Sequence, residues 1–239
     1  MHSPEMNPRL DGFKPANEQI LEGFRLKIRI NQDMLMPLAE HHTPDLSDSY
    51  YVLHDRSATY GHPGDAQIVA LHLRRDLEAK TFDFECANVP LGAMAQSWLI
   101  HRGCPAERIG LDPALGTDPA DEATRALEKR LMTDGDHCAL GFSYTRDDPN
   151  DTVTLVALRA LDERASSPFR VLVEEVDLDA WTHSLREGGF ATVKDALLWC
   201  GDRLSGTAGP LPPVKPAALL PLPASPSKIT VPRPPGRSR

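Results

Sequence analysis

The strongest constraint on the fold of this 239-residue chain is that its two halves resemble each other. A shift of 87 positions aligns Ile68–Ser97 with Leu155–Ser184 without a gap. Eight pairs are identical: Val69/Val156, Ala70/Ala157, Leu71/Leu158, Phe82/Phe169, Val89/Val176, Leu91/Leu178, Ala93/Ala180 and Ser97/Ser184. Most of them are apolar and fall where strand and helix interiors should lie. The chain therefore reads as an α+β protein made of two diverged copies of a strand-strand-strand-helix unit, related by a pseudo-twofold axis. The boundaries that follow are a flexible N-terminus (1–16), a first α+β unit (17–116) and a second (117–205) forming one compact domain with the first. A disordered, basic, Pro-rich tail (206–239) comes last.

Periodicity supplies the elements. Phe24 to Ile30 alternates apolar and cationic residues, which predicts a strand, and a helix follows at Met34–Glu40 despite Pro37. Strands are predicted at Tyr50–Asp55, Gln67–Arg74 and Thr81–Ala87, then a helix from about Leu91 that Gly103 stops. In the second unit Asp118 and Pro119 suit the cap and first turn of a helix running to Thr133. Strands at Cys138–Thr145, Thr152–Leu161 and Phe169–Val176 follow, then helices at Leu178–Glu187 and Val193–Leu204, the last opened by a Thr192 cap. Taken from Phe24, the order strand, helix, strand, strand, strand is similar to that of the vicinal-oxygen-chelate enzymes. The likeness implies paired modules with a metal held between them.

Composition sets the class. At 41% hydrophobic and 25% charged residues, the chain is that of an ordinary globular protein. No apolar run reaches the roughly 20 residues of a membrane span, and the N-terminus lacks a basic, then apolar, secretory leader. Four cysteines without a Cys-x-x-Cys pair point to reduced, mostly buried thiols and a cytoplasmic setting, and the excess of Arg over Lys points to a bacterium with a GC-rich genome. The 34 acidic and 21 basic residues before Gly206 give the body a charge of −13, whereas the tail carries +5. That balance disfavours nucleic acid as the main ligand, leaving weak contact through the tail. Polyproline II conformers in the tail suit docking to a protein partner.

Few residues suggest chemistry. Five of nine histidines fall within residues 41–72, and the long loop there makes His54, His62, His72 and Asp65 candidates for a divalent metal. The run around Glu174 and Glu175, with Glu85 as a partner from the first unit, is the candidate for paired-carboxylate hydrolysis of the glycoside-hydrolase kind. No glycine-rich phosphate loop, dinucleotide fingerprint or nucleophile elbow is present, so no organic cofactor is predicted. The function these features favour is a non-enzymatic binding or interaction protein. A hydrolase or metal-dependent enzyme is the alternative.

Overall fold

A computed structural model describes residues 5–61, 64–133, 138–162 and 165–215. In the first unit a two-residue strand, β1 (Lys14–Pro15), leads into helix α1 (Glu18–Phe24), which continues as a π turn over Arg25–Arg29. An antiparallel meander follows: β2 (Leu35–His42), β3 (Asp48–Asp55), β4 (Ile68–Asp76) and β5 (Thr81–Val89), with a one-turn helix α2 (Ala58–Gly61) between β3 and β4. Helix α3 (Gly92–Ile100) closes the unit. The second unit repeats this order: β6 (Asp118–Pro119), α4 (Glu122–Thr133), the meander β7 (Cys138–Arg146), β8 (Thr152–Ala160), β9 (Phe169–Asp177) and β10 (Thr182–Phe190), then α5 (Val193–Leu204). The sheets run β1-β5-β4-β3-β2 and β6-β10-β9-β8-β7. The α+β class and the two similar units are thus as the sequence indicates. No described helix is long and apolar enough to cross a membrane.

The spacing of the repeat is 101–104 residues rather than 87. Asp76-Leu77-x-Ala79-x-Thr81 turns β4 into β5, and Asp177-Leu178-x-Ala180-x-Thr182 turns β9 into β10. In both turns the aspartate Oδ1 accepts two backbone N–H groups, from Glu78 and Ala79 in one and from Asp179 and Ala180 in the other. Both turns also place a left-handed residue at the same point, Lys80 at φ 55° and Trp181 at φ 54°. Pro15-Ala16-Asn17-Glu18 recurs as Pro119-Ala120-Asp121-Glu122. Asn17 and Asp121 cap α1 and α4, and Ala16 and Ala120 donate to Phe82 and His183 of the last strands. The shift of 87 sets β4 on β8 and β5 on β9, because neighbouring strands of one sheet share an apolar pattern.

The same physics corrects four elements. Asp118 and Pro119 do not open the helix but pair as β6, and Asp121 is the cap. Phe24–Ile30 is helical: Phe24 and Ile28 are buried four residues apart, as one helix face requires, whereas Leu26 and Ile30 are about half exposed. Met34–Glu40 falls largely in strand β2, where Pro37 is tolerated at a bulge on the sheet edge. Leu178–Glu187 forms the Asp177 turn and most of β10. With these changes the elements from Phe24 that gave the vicinal-oxygen-chelate order are not those of the structure, which runs a two-residue strand, a helix and four strands.

Unlike faces of the two units meet. In the first sheet α1 covers the face carrying Tyr51, Leu53, Leu71 and Leu73, and α3 covers the face carrying Tyr50, Val52 and Ala70. In the second, α4 lies over Val156, Leu158 and Leu172, and α5 over Leu155, Ala157 and Val171. Helices α3 and α4 pack on each other between the sheets, with Met94 shared by both cores. A twofold axis would bring like faces together, so the units are stacked head to tail.

Both termini are more tied down than composition suggests. Met6 is buried, and Arg75 donates to the carbonyls of Pro8, Arg9 and Leu46 and to the Ser49 hydroxyl, which fixes the segment expected to be loose. At the other end Gly209–Lys215 lies across β10. Gly189 N–H donates to the Pro212 carbonyl at 2.9 Å, and a Cβ on Gly188 would stand 2.6 Å from Leu211. The rest of the Pro-rich tail, which the sequence suits to docking a protein partner, lies outside the described residues.

The shared turn gives a direct stability prediction. Lys80→Gly relieves a left-handed residue and should add up to about 1 kcal/mol. Asp76→Ala, which leaves two N–H groups without their acceptor, should cost about 1–2 kcal/mol. Urea unfolding of both variants checks the signs.

Candidate functional site

Helices α3 and α4 fill only part of the space between the sheets, and beside them lies a cavity of about 730 Å³. Its floor on the first unit is Met36, Leu38, His54 and Ile68, with the start of α3 and the segment Leu111–Thr117 at its side. The second unit supplies Thr152, Thr154, Glu174, Val176 and His183 from the face that α4 covers, and Arg125, Glu128 and Lys129 from α4 itself.

Three ionisable side chains meet on this second wall. The cap Asp121 holds the Thr124 N–H and hydroxyl, and Thr124 Oγ1 in turn accepts the Leu185 N–H of β10 at 3.1 Å. One helical turn after Thr124 and two strand residues before Leu185, Glu128 and His183 then fall together, with His183 Nε2 to Glu128 Oε1 at 2.8 Å. His183 Nδ1 has the Thr117 hydroxyl at 2.9 Å and the Thr117 carbonyl at 3.1 Å. Glu174 lies opposite Leu185 on β9, on the same face of the sheet, and opens onto the cavity. Among the described residues it has no hydrogen-bond or ion-pair partner.

The repeat shows how unusual these three residues are for the fold. At the spacing set by the shared turn and cap, Glu128 corresponds to Phe24, Glu174 to Leu73 and His183 to Phe82. In the first unit those residues form one apolar cluster, with the Phe24 and Phe82 rings edge to face at 5.2 Å. In the second unit the same positions hold a carboxylate, a carboxylate and an imidazole. Burial pushes the Glu174 carboxyl up to about 7; His183 opposes that rise and Glu128 adds to it. Burial also works against the His183 imidazolium. The hydrogen bond to Glu128 and the two carboxylate charges outweigh it, so His183 titrates above its ordinary value.

The residues singled out from sequence are dispersed. Glu174 belongs to the cluster. Glu175 points to the opposite face and pairs with Arg203 at 2.6 Å, and Glu85 on β5 pairs with Arg102 and Arg74. His54 lines the cavity, and burial lowers its pKa. His72 stacks on Tyr50 with ring centroids 4.5 Å apart and bonds Asp48 at 2.8 Å. His54 and His72 lie four residues apart along paired strands, about 13 Å. Asp65 is exposed, and His62 lies outside the described residues. Among the described residues no group of three His, Cys, Asp or Glu side chains is placed to hold a metal ion. Cys104 and Cys200 are buried, and burial pushes both thiols up to about 11, far from thiolate reactivity. The sequence reading passed over Glu128, His183 and Thr117. Pro-Ala-Asn/Asp-Glu and Asp-Leu-x-Ala-x-Thr were the signals that could have found the first two.

The Glu174 carboxyl holds its proton more tightly in the folded chain than in the unfolded one. Its contribution is complete below pH 4.5 and is lost as pH rises to about 7. Glu174→Gln should therefore gain stability over wild type by about 3 kcal/mol across that window, read from urea unfolding at a series of pH values. A difference that stays flat with pH would show that Glu174 is not held in a desolvated site.

In comparisons with known proteins, no family model, no curated protein and no solved structure matches this chain.

Proposed function

We propose that the protein is a non-enzymatic binding protein whose ligand occupies the cavity between its two units. The observation that carries this reading is that three positions of an apolar cluster in the first copy are polar in the second, at the place where that copy faces the cavity. Replacing Phe, Leu and Phe by Glu, Glu and His sacrifices buried apolar surface and adds a desolvated carboxyl. Such a change at the wall of a roomy, partly apolar cavity suits a site that receives a ligand with polar groups at one end.

A second reading is favoured by one observation: Thr117, His183 and Glu128 form a hydrogen-bonded row beside a carboxyl that titrates near neutrality, an arrangement suited to acid–base chemistry. Against a threonine nucleophile, the Thr117 carbonyl competes for the same imidazole nitrogen, and a charged imidazolium donates there rather than accepts. Loss of turnover of chromogenic esters and glycosides in His183→Asn and Glu174→Gln would support the enzyme. A wild-type protein inert on both substrate classes removes this reading.

Gly116 lines the cavity, and a Cβ there would meet nothing within 4 Å, so a large side chain can enter without moving the backbone. Nile red, a neutral apolar dye, should bind wild-type protein saturably at one site. Gly116→Trp should weaken it by about tenfold or more with an unchanged circular dichroism spectrum. Absence of saturable binding, or binding indifferent to Gly116→Trp, contradicts the proposal.

A further inference from the structure

The first unit shows what this fold places at the three positions when they only have to pack: two phenylalanines and a leucine. The second unit instead has one carboxylate bonded to an imidazole and a second near enough for the two charges to be felt. Glu128 Oε1 is engaged by His183, and Glu174 has no ion-pair or hydrogen-bond partner among the described residues. A carboxyl in that position, surrounded by protein yet opening on a cavity, has against its desolvation only the nearby charge of His183, which is itself bonded to Glu128.

The charges lining the rest of the cavity point the same way. Five acidic side chains face it, those of Asp112, Asp118, Glu128, Asp147 and Glu174, against three permanent cations, Arg56, Arg125 and Lys129, and the imidazole of His183. Arg56 is bonded to the Asp33 carbonyl, and Arg125 to Glu122 and the Pro119 carbonyl, so two of the three are directed elsewhere. On the opposite side the surface is apolar, from Met36, Leu38 and Ile68. We infer that the cavity binds an amphiphilic amine, its ammonium group seated on Glu174 and Glu128 beside His183 and its apolar body lying against Met36, Leu38 and Ile68. This inference rests on the binding reading above and adds the chemical class of the ligand. A desolvated ammonium–carboxylate pair is strong where water is excluded, and removing one partner of such a pair costs far more than removing a surface charge.

Calorimetry of the full chain with octylamine, octanol and octanoate separates the two claims. Octylamine should bind at one site at least about tenfold more tightly than octanol, and octanoate most weakly. In Glu174→Gln, a neutral side chain of the same shape, the margin of amine over alcohol should fall to about twofold or less while octanol binding persists. Gly116→Trp should weaken octylamine and octanol alike. If octanol or octanoate equals the amine, or if Glu174→Gln keeps the margin, the amine assignment is overturned while cavity binding stands, provided Gly116→Trp still blocks the alcohol. If none of the three probes binds, both fall.

Discussion

A glutamate standing where its fold carries a leucine is the constraint from which most features of the second unit follow. Glu174 occupies a position that in the first unit is Leu73, sealed under Phe24 and Phe82. A carboxyl there loses water and gains no fixed cation, so its proton is held to about 7. The neighbouring changes are consistent with that burden: Glu128 and His183 bond each other, and Thr117 satisfies the remaining imidazole nitrogen. Glu174 alone is left without a hydrogen-bond partner among the described residues, the costly state for a buried polar group.

Stacking order explains why the two copies can differ here. Because the units pack head to tail, equivalent faces have different surroundings. In the first unit the face under α1 is closed by the helix and by Met6 of the N-terminal segment. In the second the equivalent face looks across α4 toward the first unit and the cavity. A face that must exclude water keeps its phenylalanines, whereas one that borders an internal space is free to change. With a twofold arrangement both copies of this face would be equally placed, and there would be no reason for them to differ.

Class, most strands and the cap of α5 were legible in the sequence because they depend on local patterns: a continuous apolar and β-branched run over Val153–Leu158, or Thr192 accepting the Asp195 N–H at the start of α5. Failures came where one pattern serves two structures. Phe24-x-x-x-Ile28 satisfies both a strand of alternating residues and one helix face, and only the Asn17 cap seven residues earlier decides between them. The shift of 87 matched residues that share a strand environment, whereas the true spacing is written in turn and cap residues, Asp76/Asp177 and Asn17/Asp121, whose side chains bond the backbone. Set at that spacing, the sequence alone opposes Leu73 to Glu174 and Phe82 to His183. The contact between Glu128 and His183 also depends on Thr124 joining α4 to β10, a pairing 61 residues apart that no local pattern announces.

The central claim is that Glu128, Glu174 and His183 occupy core positions and hold them at a cost in stability for the sake of the cavity. Thermal unfolding of the triple substitution Glu128→Phe, Glu174→Leu and His183→Phe, which restores the residues of the first unit, tests it most directly. A folded protein with a higher Tm than wild type and no remaining preference for octylamine over octanol is the predicted result. A triple variant that unfolds at a lower temperature, or keeps that preference, would contradict it.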